Sequence, residues 1–201
     1  YSVAIQILAA TEQIANTWFL PRFYAACDSD NKSENLQASA EYIVAVGLPI
    51  ILASAFILSG VDILLKLMLG PAFQQTQIYL VVGVLIEAFR IIANCAGLRF
   101  HQSKQTIRLI WPALFAFLLV AIINWSIEKS LILIVSSMAA GSLLLLIMMM
   151  DKNLFQQILL ICRKRFNMLW ILLFVAICIA LSFSQQFLRI ESHAMIWVGV
   201  W

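Results

Sequence analysis

The stretch QIYLVVGVLIEAFRIIANCAGL, residues 77–98, decides the fold of this protein. It is apolar almost throughout, and only Glu87 and Arg90 carry a charge. As an α-helix it would extend about 33 Å at 1.5 Å per residue, which matches the ~30 Å of hydrocarbon in a bilayer. The strands of a membrane barrel require apolar residues that alternate with polar ones, and this stretch has no such alternation. The stretch therefore predicts a transmembrane α-helix.

The same pattern recurs on both sides of this stretch. The whole sequence is 63% hydrophobic and 11% charged, whereas a soluble domain has about a quarter of its residues charged. In lipid, backbone N–H and C=O groups must be paired within the protein, as they are in helices. We therefore predict an all-α, polytopic transmembrane helix bundle. The other predicted spans are 2–20 (ended by Pro21), 42–60, 107–125, 130–150 and 167–184, with an amphipathic piece at 61–69 and the start of a further span at 193–201.

Lysine and arginine are unevenly distributed between the connections of these spans. Successive connections alternate between the two sides of the membrane, and the cytoplasmic side carries the excess of cations. One set of connections is 21–41, 99–108 and 151–166, with Arg22, Lys32, Arg99, Lys104, Arg108, Lys152, Arg163, Lys164 and Arg165. The other set is 61–76, 126–129 and 185–192, with Lys66, Lys129 and Arg189. The first set is therefore predicted to be cytoplasmic, and the first helix runs from outside to inside.

The connection 151–166 is itself amphipathic. Its apolar residues recur at helical spacing and are Leu154, Phe155, Ile158, Leu159 and Ile161. A basic run follows at residues 163–165. This pattern favours an interfacial helix anchored on the anionic headgroups of membrane lipids. A site for a regulatory partner is the alternative interpretation.

The sequence lacks the motifs of an enzyme, metal or nucleic-acid site. Its two histidines, His101 and His193, fall in connections on opposite sides of the membrane, and its four cysteines form no C-x-x-C pair. It contains no phosphate-binding glycine loop, no G-x-S-x-G and no H-E-x-x-H. The net charge of +3 is too small to indicate nucleic acid. We predict no enzymatic activity, no cofactor or metal, and no nucleic-acid partner.

Two charged residues lie at the middle of the span quoted above. They belong to a stripe, since spacings of three and four residues return to one face of a helix. The stripe consists of Gly83, Glu87, Arg90, Asn94 and Gly97. An unpaired charge at the bilayer centre costs at least ~2.5–3.5 kcal/mol, so the stripe must face protein or water. It either lines a path for a transported substrate or holds an internal Glu87–Arg90 pair that only packs the bundle.

The first span carries a second group of polar residues, which we call the polar wall. Glu12 and Asn16 are one helical turn apart, with Gln13 and Thr17 adjacent to them. Glu12 either faces Arg90 or a substrate, or lies near a helix end beside water. The predicted substrate-path residues are therefore Arg90, Glu87, Asn94, Glu12 and Asn16.

Three short motifs resemble those of a known transporter family. They are FLPR at 19–22, GLPI at 47–50 and LMLGPAF at 67–73, and the residues around Asn94 and Gln102 also fit. FLPR resembles the end of the second helix in one half of a polysaccharide flippase. GLPI resembles the proline-bearing helix that follows, and LMLGPAF resembles the turn into the next helix. Together they resemble the O-antigen type polysaccharide flippases, in the superfamily of the multidrug and toxin extrusion transporters and the lipid II flippase.

The resemblance implies the C-terminal part of a protein of twelve to fourteen helices, built as two halves around a central cavity. Residues 1–150 would be the C-terminal transmembrane half, with five helices and without its first. Residues 151–166 would be the cytoplasmic interfacial segment, and 167–201 an extra transmembrane helix with the start of the next. The cavity of such proteins is expected to be cationic. Arg90 suits that expectation, whereas Glu87 departs from it.

The function implied by the resemblance is the flipping or export of polyprenyl-linked oligosaccharide across the cell inner membrane by alternating access, in O-antigen, lipopolysaccharide or exopolysaccharide biosynthesis. Expected partners are the lipid-linked oligosaccharide, membrane lipids, and a glycan polymerase with glycosyltransferases. Two alternatives stay open. One is a cation-coupled multidrug exporter of the same superfamily, in which Glu87 or Glu12 carries the coupling proton. The other is a membrane scaffold that transports nothing.

Overall fold

A computed structural model describes residues 2–27, 31–61, 77–126 and 131–165. Within these ranges the chain forms six α-helices and no strand, which confirms the all-α prediction for this part. The helices are α1 (Ser2–Ala26), α2 (Lys32–Ser59), α3 (Gln77–Gln102), α4 (Ile107–Ser126), α5 (Leu131–Met149) and α6 (Lys152–Arg165). The spans predicted at 167–184 and 193–201, the LMLGPAF motif and, apart from Val61, the piece at 61–69 lie outside the described residues.

Four of the described helices are long and apolar enough to cross a membrane, which indicates a membrane protein. The candidate spans are Ser33–Ser59, Gln77–Gln102, Ile107–Trp125 and Leu131–Met149. α1 is also long, with 25 residues, but it does not belong to this group. Its middle carries Glu12, Gln13 and Asn16, which lower its hydropathy. The first predicted span is therefore helical, but it is less apolar than the other four.

α1 does not end at Pro21, and the prediction that this residue stops the helix is wrong. The helix continues to Ala26 with the proline inside it. An interior proline removes one backbone hydrogen bond and its ring pushes against the carbonyl of the preceding turn. The turn after Pro21 is held in place by α2, because Phe23 is buried and its ring packs on Tyr42 with centroids 5.0 Å apart. Tertiary packing thus outweighs the tendency of the proline to end the helix.

α2 begins at Lys32, ten residues before the predicted start at Tyr42, so the predicted connection 21–41 is mostly helical. Asn31 caps this helix. Its side chain accepts a hydrogen bond from the Ser33 backbone N–H at 3.1 Å and donates one to Glu34 at 2.9 Å. The first of these bonds satisfies an amide that the first helical turn leaves unpaired. Hydropathy misses such a start because the capping turn is polar.

α3 occupies the centre of the described bundle. α1 and α2 pack on each other and on α3, α5 packs on α3, and α4 packs mainly on α5. Aliphatic side chains interdigitate in the core, and its largest fully buried members are Leu8, Ile50, Ile57, Ile91, Leu154, Val46 and Val84. α4 is the most peripheral helix, and large side chains along it such as Ile110, Phe117 and Ile122 are exposed. In a bilayer this surface of α4 would meet lipid tails.

The three connections predicted to be cytoplasmic gather at one end of the bundle. The N-terminal half of α2 lies along the C-terminal half of α3, where Tyr42 is adjacent to Cys95. At the same end of α3, Arg99 donates through Nη1 to Oδ2 of Asp151, between α5 and α6, at 2.7 Å. This arrangement agrees with the alternation derived from lysine and arginine. That this end faces the cytoplasm stays a prediction.

The amphipathic helix predicted at 151–166 is present as α6, but its apolar residues serve two surfaces. Leu154 and Ile161 are buried and belong to the core, where α6 packs on α2. Phe155 and Leu159 are exposed. These two side chains and the exposed Leu160 are available to membrane lipids, whereas Leu154 and Ile161 are not, so the predicted apolar residues do not form one interfacial face.

α5 approaches α4 closely at Gly141. A Cβ atom on this glycine would lie 2.6 Å from Val120 Cγ2 and 3.4 Å from the Ala116 carbonyl oxygen. We expect Gly141→Ala to lower the free energy of unfolding by about 1–3 kcal/mol, because a short valine side chain and a helix backbone have little room to move. The double change Gly141→Ala/Val120→Ala should recover most of this loss. Thermal unfolding in detergent micelles measures both, and an unchanged unfolding temperature for Gly141→Ala would contradict the close approach.

Candidate functional site at the middle of α1 and α3

Arg90 lies at the middle of α3. It is the fourteenth of 26 residues, which places it about 18–20 Å from either end of the helix. Glu12 is the eleventh of 25 residues in α1, and α1 packs against α3. Both charged side chains therefore belong to the middle of their helices, and α3 is one of the four candidate membrane spans.

Arg90 and Glu87 form a two-fold ion pair on α3. Arg90 donates from Nε to Glu87 Oε2 at 2.9 Å and from Nη2 to Oε1 at 2.6 Å. Such a fork of two parallel charge-assisted hydrogen bonds is strong and fixes the orientation of both groups. The Glu87 side chain is only 10% exposed. The internal pair that the sequence offered as one of two interpretations is thus present in the structure.

Glu12 reaches the same guanidinium from α1. Its Oε2 lies 3.9 Å from Arg90 Nη2, which is longer than a direct hydrogen bond. The Asn16 side chain, one turn further along α1, lies beside the Glu12 carboxyl group. Asn16 Oδ1 in turn accepts from the Tyr42 hydroxyl of α2 at 2.7 Å. These five residues join three helices in one connected network, which we call the polar cluster.

The polar cluster contains two carboxyl groups and one guanidinium. With all three ionised, its formal charge is −1. The Arg90 side chain is 45% exposed in spite of its ion pair, and that of Glu12 is 21% exposed. Neighbouring helices therefore cover Glu87 but leave Arg90 accessible. The cluster can hold a cation or a proton at its carboxyl groups, or it can present the guanidinium to an anion if Glu12 moves away.

Four of the five predicted substrate-path residues meet in this cluster, namely Glu12, Asn16, Glu87 and Arg90. The fifth, Asn94, is exposed one turn further along α3 and does not join the cluster among the described residues. The predicted stripe is not one open surface either, because Gly83 and Gly97 are buried. Arg90 and Asn94 are exposed, whereas Glu87 is buried with the two glycines where α3 packs on its neighbouring helices.

Gln13 and Thr17 do not extend the polar wall predicted on α1, although they are adjacent to Glu12 and Asn16 in the sequence. Both are exposed. The Thr17 hydroxyl donates to the Gln13 backbone carbonyl at 2.8 Å, so α1 satisfies this side chain by itself.

Tyr42 is the member of the polar cluster that sequence reasoning missed. The sequence identified it only as the start of a span, and its helix neighbours give no hint of Asn16. The available signal is that a tyrosine hydroxyl needs a hydrogen-bond partner when it is buried. Tyr42 is buried, as is the adjacent free thiol of Cys95 on α3.

Comparison with protein-family models, with curated proteins and with solved structures found no match for this chain. The resemblance to polysaccharide flippases therefore rests on its sequence motifs. Two of these, FLPR and GLPI, lie within α1 and α2. FLPR lies inside α1 and not at its end, because the helix continues to Ala26.

Proposed function

We propose that this chain is the C-terminal part of an inner-membrane transporter that moves polyprenyl-linked oligosaccharide across the bilayer by alternating access. The observation that carries the proposal is the exposure of Arg90. Its side chain is 45% exposed at the middle of an apolar helix, although two carboxyl groups lie beside it. A pair that only packed the bundle would be better stabilised if it were shielded from lipid on all sides.

The exposed side of Arg90 is best accounted for by a water-filled cavity. A charge that meets lipid at mid-membrane costs at least ~2.5–3.5 kcal/mol, whereas a cavity hydrates it. In this proposal, a second half of the transporter closes the cavity and supplies further cationic surface. The twelve to fourteen helices, the inner membrane, and a glycan polymerase with glycosyltransferases as partners belong to the same proposal.

The distances within the polar cluster suggest how an anionic headgroup binds. Glu12, at 3.9 Å, is the weaker partner of Arg90, and Glu87 is the stronger one. A pyrophosphate oxygen that displaces Glu12 gains a charge-assisted hydrogen bond, while the Glu87 fork keeps the guanidinium oriented. Displacement of Glu12 weakens a contact between α1 and α3. Binding of substrate thereby favours an arrangement in which α1 and α3 are joined less tightly, and no covalent step is needed.

A cation-coupled exporter is the second candidate, and a specific observation favours it. Two carboxyl groups share one guanidinium, so the ionised polar cluster has an excess of negative charge. A proton or Na⁺ bound at Glu12 would neutralise this excess and would alter the contact of α1 with α3. Ionisable groups of this kind inside a membrane often mark the pathways of ions.

The variant Glu12→Gln separates the two candidates. For a flippase, glutamine keeps a polar contact with Arg90 that pyrophosphate can still displace, so transport of pyrophosphate-linked oligosaccharide should persist. For an exporter, loss of the titrating group should abolish cation-driven efflux. Proteoliposomes of the full-length protein measure both, with a fluorescent lipid-linked oligosaccharide in one assay and a cationic dye under a pH gradient in the other. Gln13→Ala, an exposed change on the same helix, is the control.

The substrate that the wild-type protein moves in these assays decides first between the two candidate functions. Movement of the oligosaccharide supports the proposed flippase, and movement of the dye alone supports the exporter. Failure of wild-type protein to move either substrate would contradict both transport proposals and favour the scaffold.

A further inference from the structure

A cavity of about 130 Å³ lies between the last turns of α1 and the N-terminal half of α2. It is separate from the bonds of the polar cluster, although Tyr42 contributes to both. One water molecule occupies roughly 30 Å³ of liquid, so the cavity has room for a group of several non-hydrogen atoms. The space exists because Ala26, Ala38 and Ala45 are small where the two helices face each other.

The cavity lies at the level of the predicted membrane surface. Hydropathy ends the first predicted span at Leu20 and begins the next at Tyr42, and the residues that line the cavity lie close to both positions in the sequence. Trp18 and Tyr24 of α1 are exposed nearby. Tryptophan and tyrosine are enriched at headgroup depth, because their rings are amphipathic. A ligand in this cavity would therefore be part of a lipid headgroup.

The two walls of the cavity carry opposite charges. Arg22 comes from α1 and Glu41 from α2. Gln37 donates to Glu41 Oε1 at 3.1 Å and so helps to orient the carboxylate. We propose that the cavity binds the headgroup of an aminophospholipid, with the phosphate on Arg22 and the primary ammonium on Glu41. An arginine fork suits phosphate oxygens, and a carboxylate accepts hydrogen bonds from an ammonium.

The rest of the lining fits the same ligand. Phe19, Phe23 and Tyr42 supply aromatic rings, which attract a cation and pack on the methylene groups of the headgroup. The Tyr42 hydroxyl already donates to Asn16, so Tyr42 offers its ring. Phosphatidylcholine has no ammonium N–H for Glu41, and phosphatidylglycerol has no cation. The cavity therefore selects phosphatidylethanolamine, whatever substrate the protein transports.

Native mass spectrometry of the full-length protein in detergent, titrated with each of these three lipids, tests the proposal. We expect phosphatidylethanolamine to bind about tenfold more tightly than the other two, the effect of one charge-assisted hydrogen bond. Glu41→Gln keeps the shape of the side chain and should remove this preference. Arg22→Ala should weaken all three lipids, and Ala38→Leu should block the cavity for all of them without any change of charge.

Arg108→Ala is the matched control, since it removes an exposed cation predicted to lie on the same side of the membrane but outside the cavity. It should leave the preference unchanged. A preference for phosphatidylethanolamine that survives Glu41→Gln would overturn the proposal. So would tighter binding of phosphatidylglycerol, because Arg22 would then attract anionic lipids by charge alone.

Discussion

Arg90→Ala is expected to abolish transport by the full-length protein. The change removes the guanidinium that would hold the anionic headgroup, and it also leaves Glu87 buried without its two hydrogen bonds. We therefore expect a loss of folding stability of about 1.5–3 kcal/mol as well, the usual range for hydrogen bonds to charged groups. Arg90→Lys should retain part of the activity, because a lysine keeps the charge but loses the two-pronged contact with Glu87.

The double variant Arg90→Ala/Glu87→Gln separates a transport role from a packing role. It removes the stranded carboxylate, so the amount of folded protein in membranes should recover. If Arg90 binds the headgroup, transport should stay absent. Complementation of a deletion strain reports activity, and size-exclusion profiles of the solubilised protein report folding. Full activity of the double variant would falsify the transport role and leave only the ion pair that packs α3.

Arg99→Ala is expected to cause the largest loss of stability among single changes at the predicted cytoplasmic end. The side chain is only 13% exposed and donates from Nη1 to Asp151 and from Nη2 to the Met149 carbonyl, at 2.7 and 2.9 Å. Asp151 also accepts the Leu154 backbone N–H at 2.8 Å and so caps α6. Arg99 thus connects the end of α3 with the ends of α5 and α6. We expect a loss of about 2–4 kcal/mol, since two hydrogen bonds to a charged group are removed.

The pH dependence of this connection has a defined sign. Burial works to raise the pKa of Asp151, but hydrogen bonds from the Leu154 N–H and from Arg99 outweigh it and lower the pKa below its usual value of 3.8. A carboxyl group whose pKa is lower in the folded state stabilises the protein above about pH 4. This contribution is lost as the pH falls below about 4 through the folded-state pKa.

Thermal unfolding of wild type and Arg99→Ala in detergent between about pH 3 and pH 7 checks both statements. The difference between the two proteins should be largest at about pH 7 and should shrink below about pH 4. Lys104→Ala removes a cation from the neighbouring turn and should behave as wild type. A difference that is constant over the whole pH range would show that Asp151 is not the partner that matters.

Hydropathy and charge alone determined the helical class, four of the spans and the grouping of the connections at one end. These properties follow from sequence because the length of an apolar run must match the thickness of a bilayer. The Glu87–Arg90 pair could be predicted for a similar reason, since residues three apart on a helix are neighbours. The proposed substrate, in contrast, depends on the motifs that resemble polysaccharide flippases, and the polar cluster adds only a site that suits it.

Tertiary structure decided that α1 continues past Pro21, how α6 divides its apolar residues, and which helices meet at Arg90. Pro21 is tolerated because Phe23 packs on Tyr42 of another helix. Asn16 and Tyr42 are 26 residues apart, and no periodicity of the sequence relates them. The physical reason is that apolar helices can bury similar areas in many relative rotations. Close packing and the pairing of a few polar groups, such as Glu12 with Arg90, select one of these arrangements.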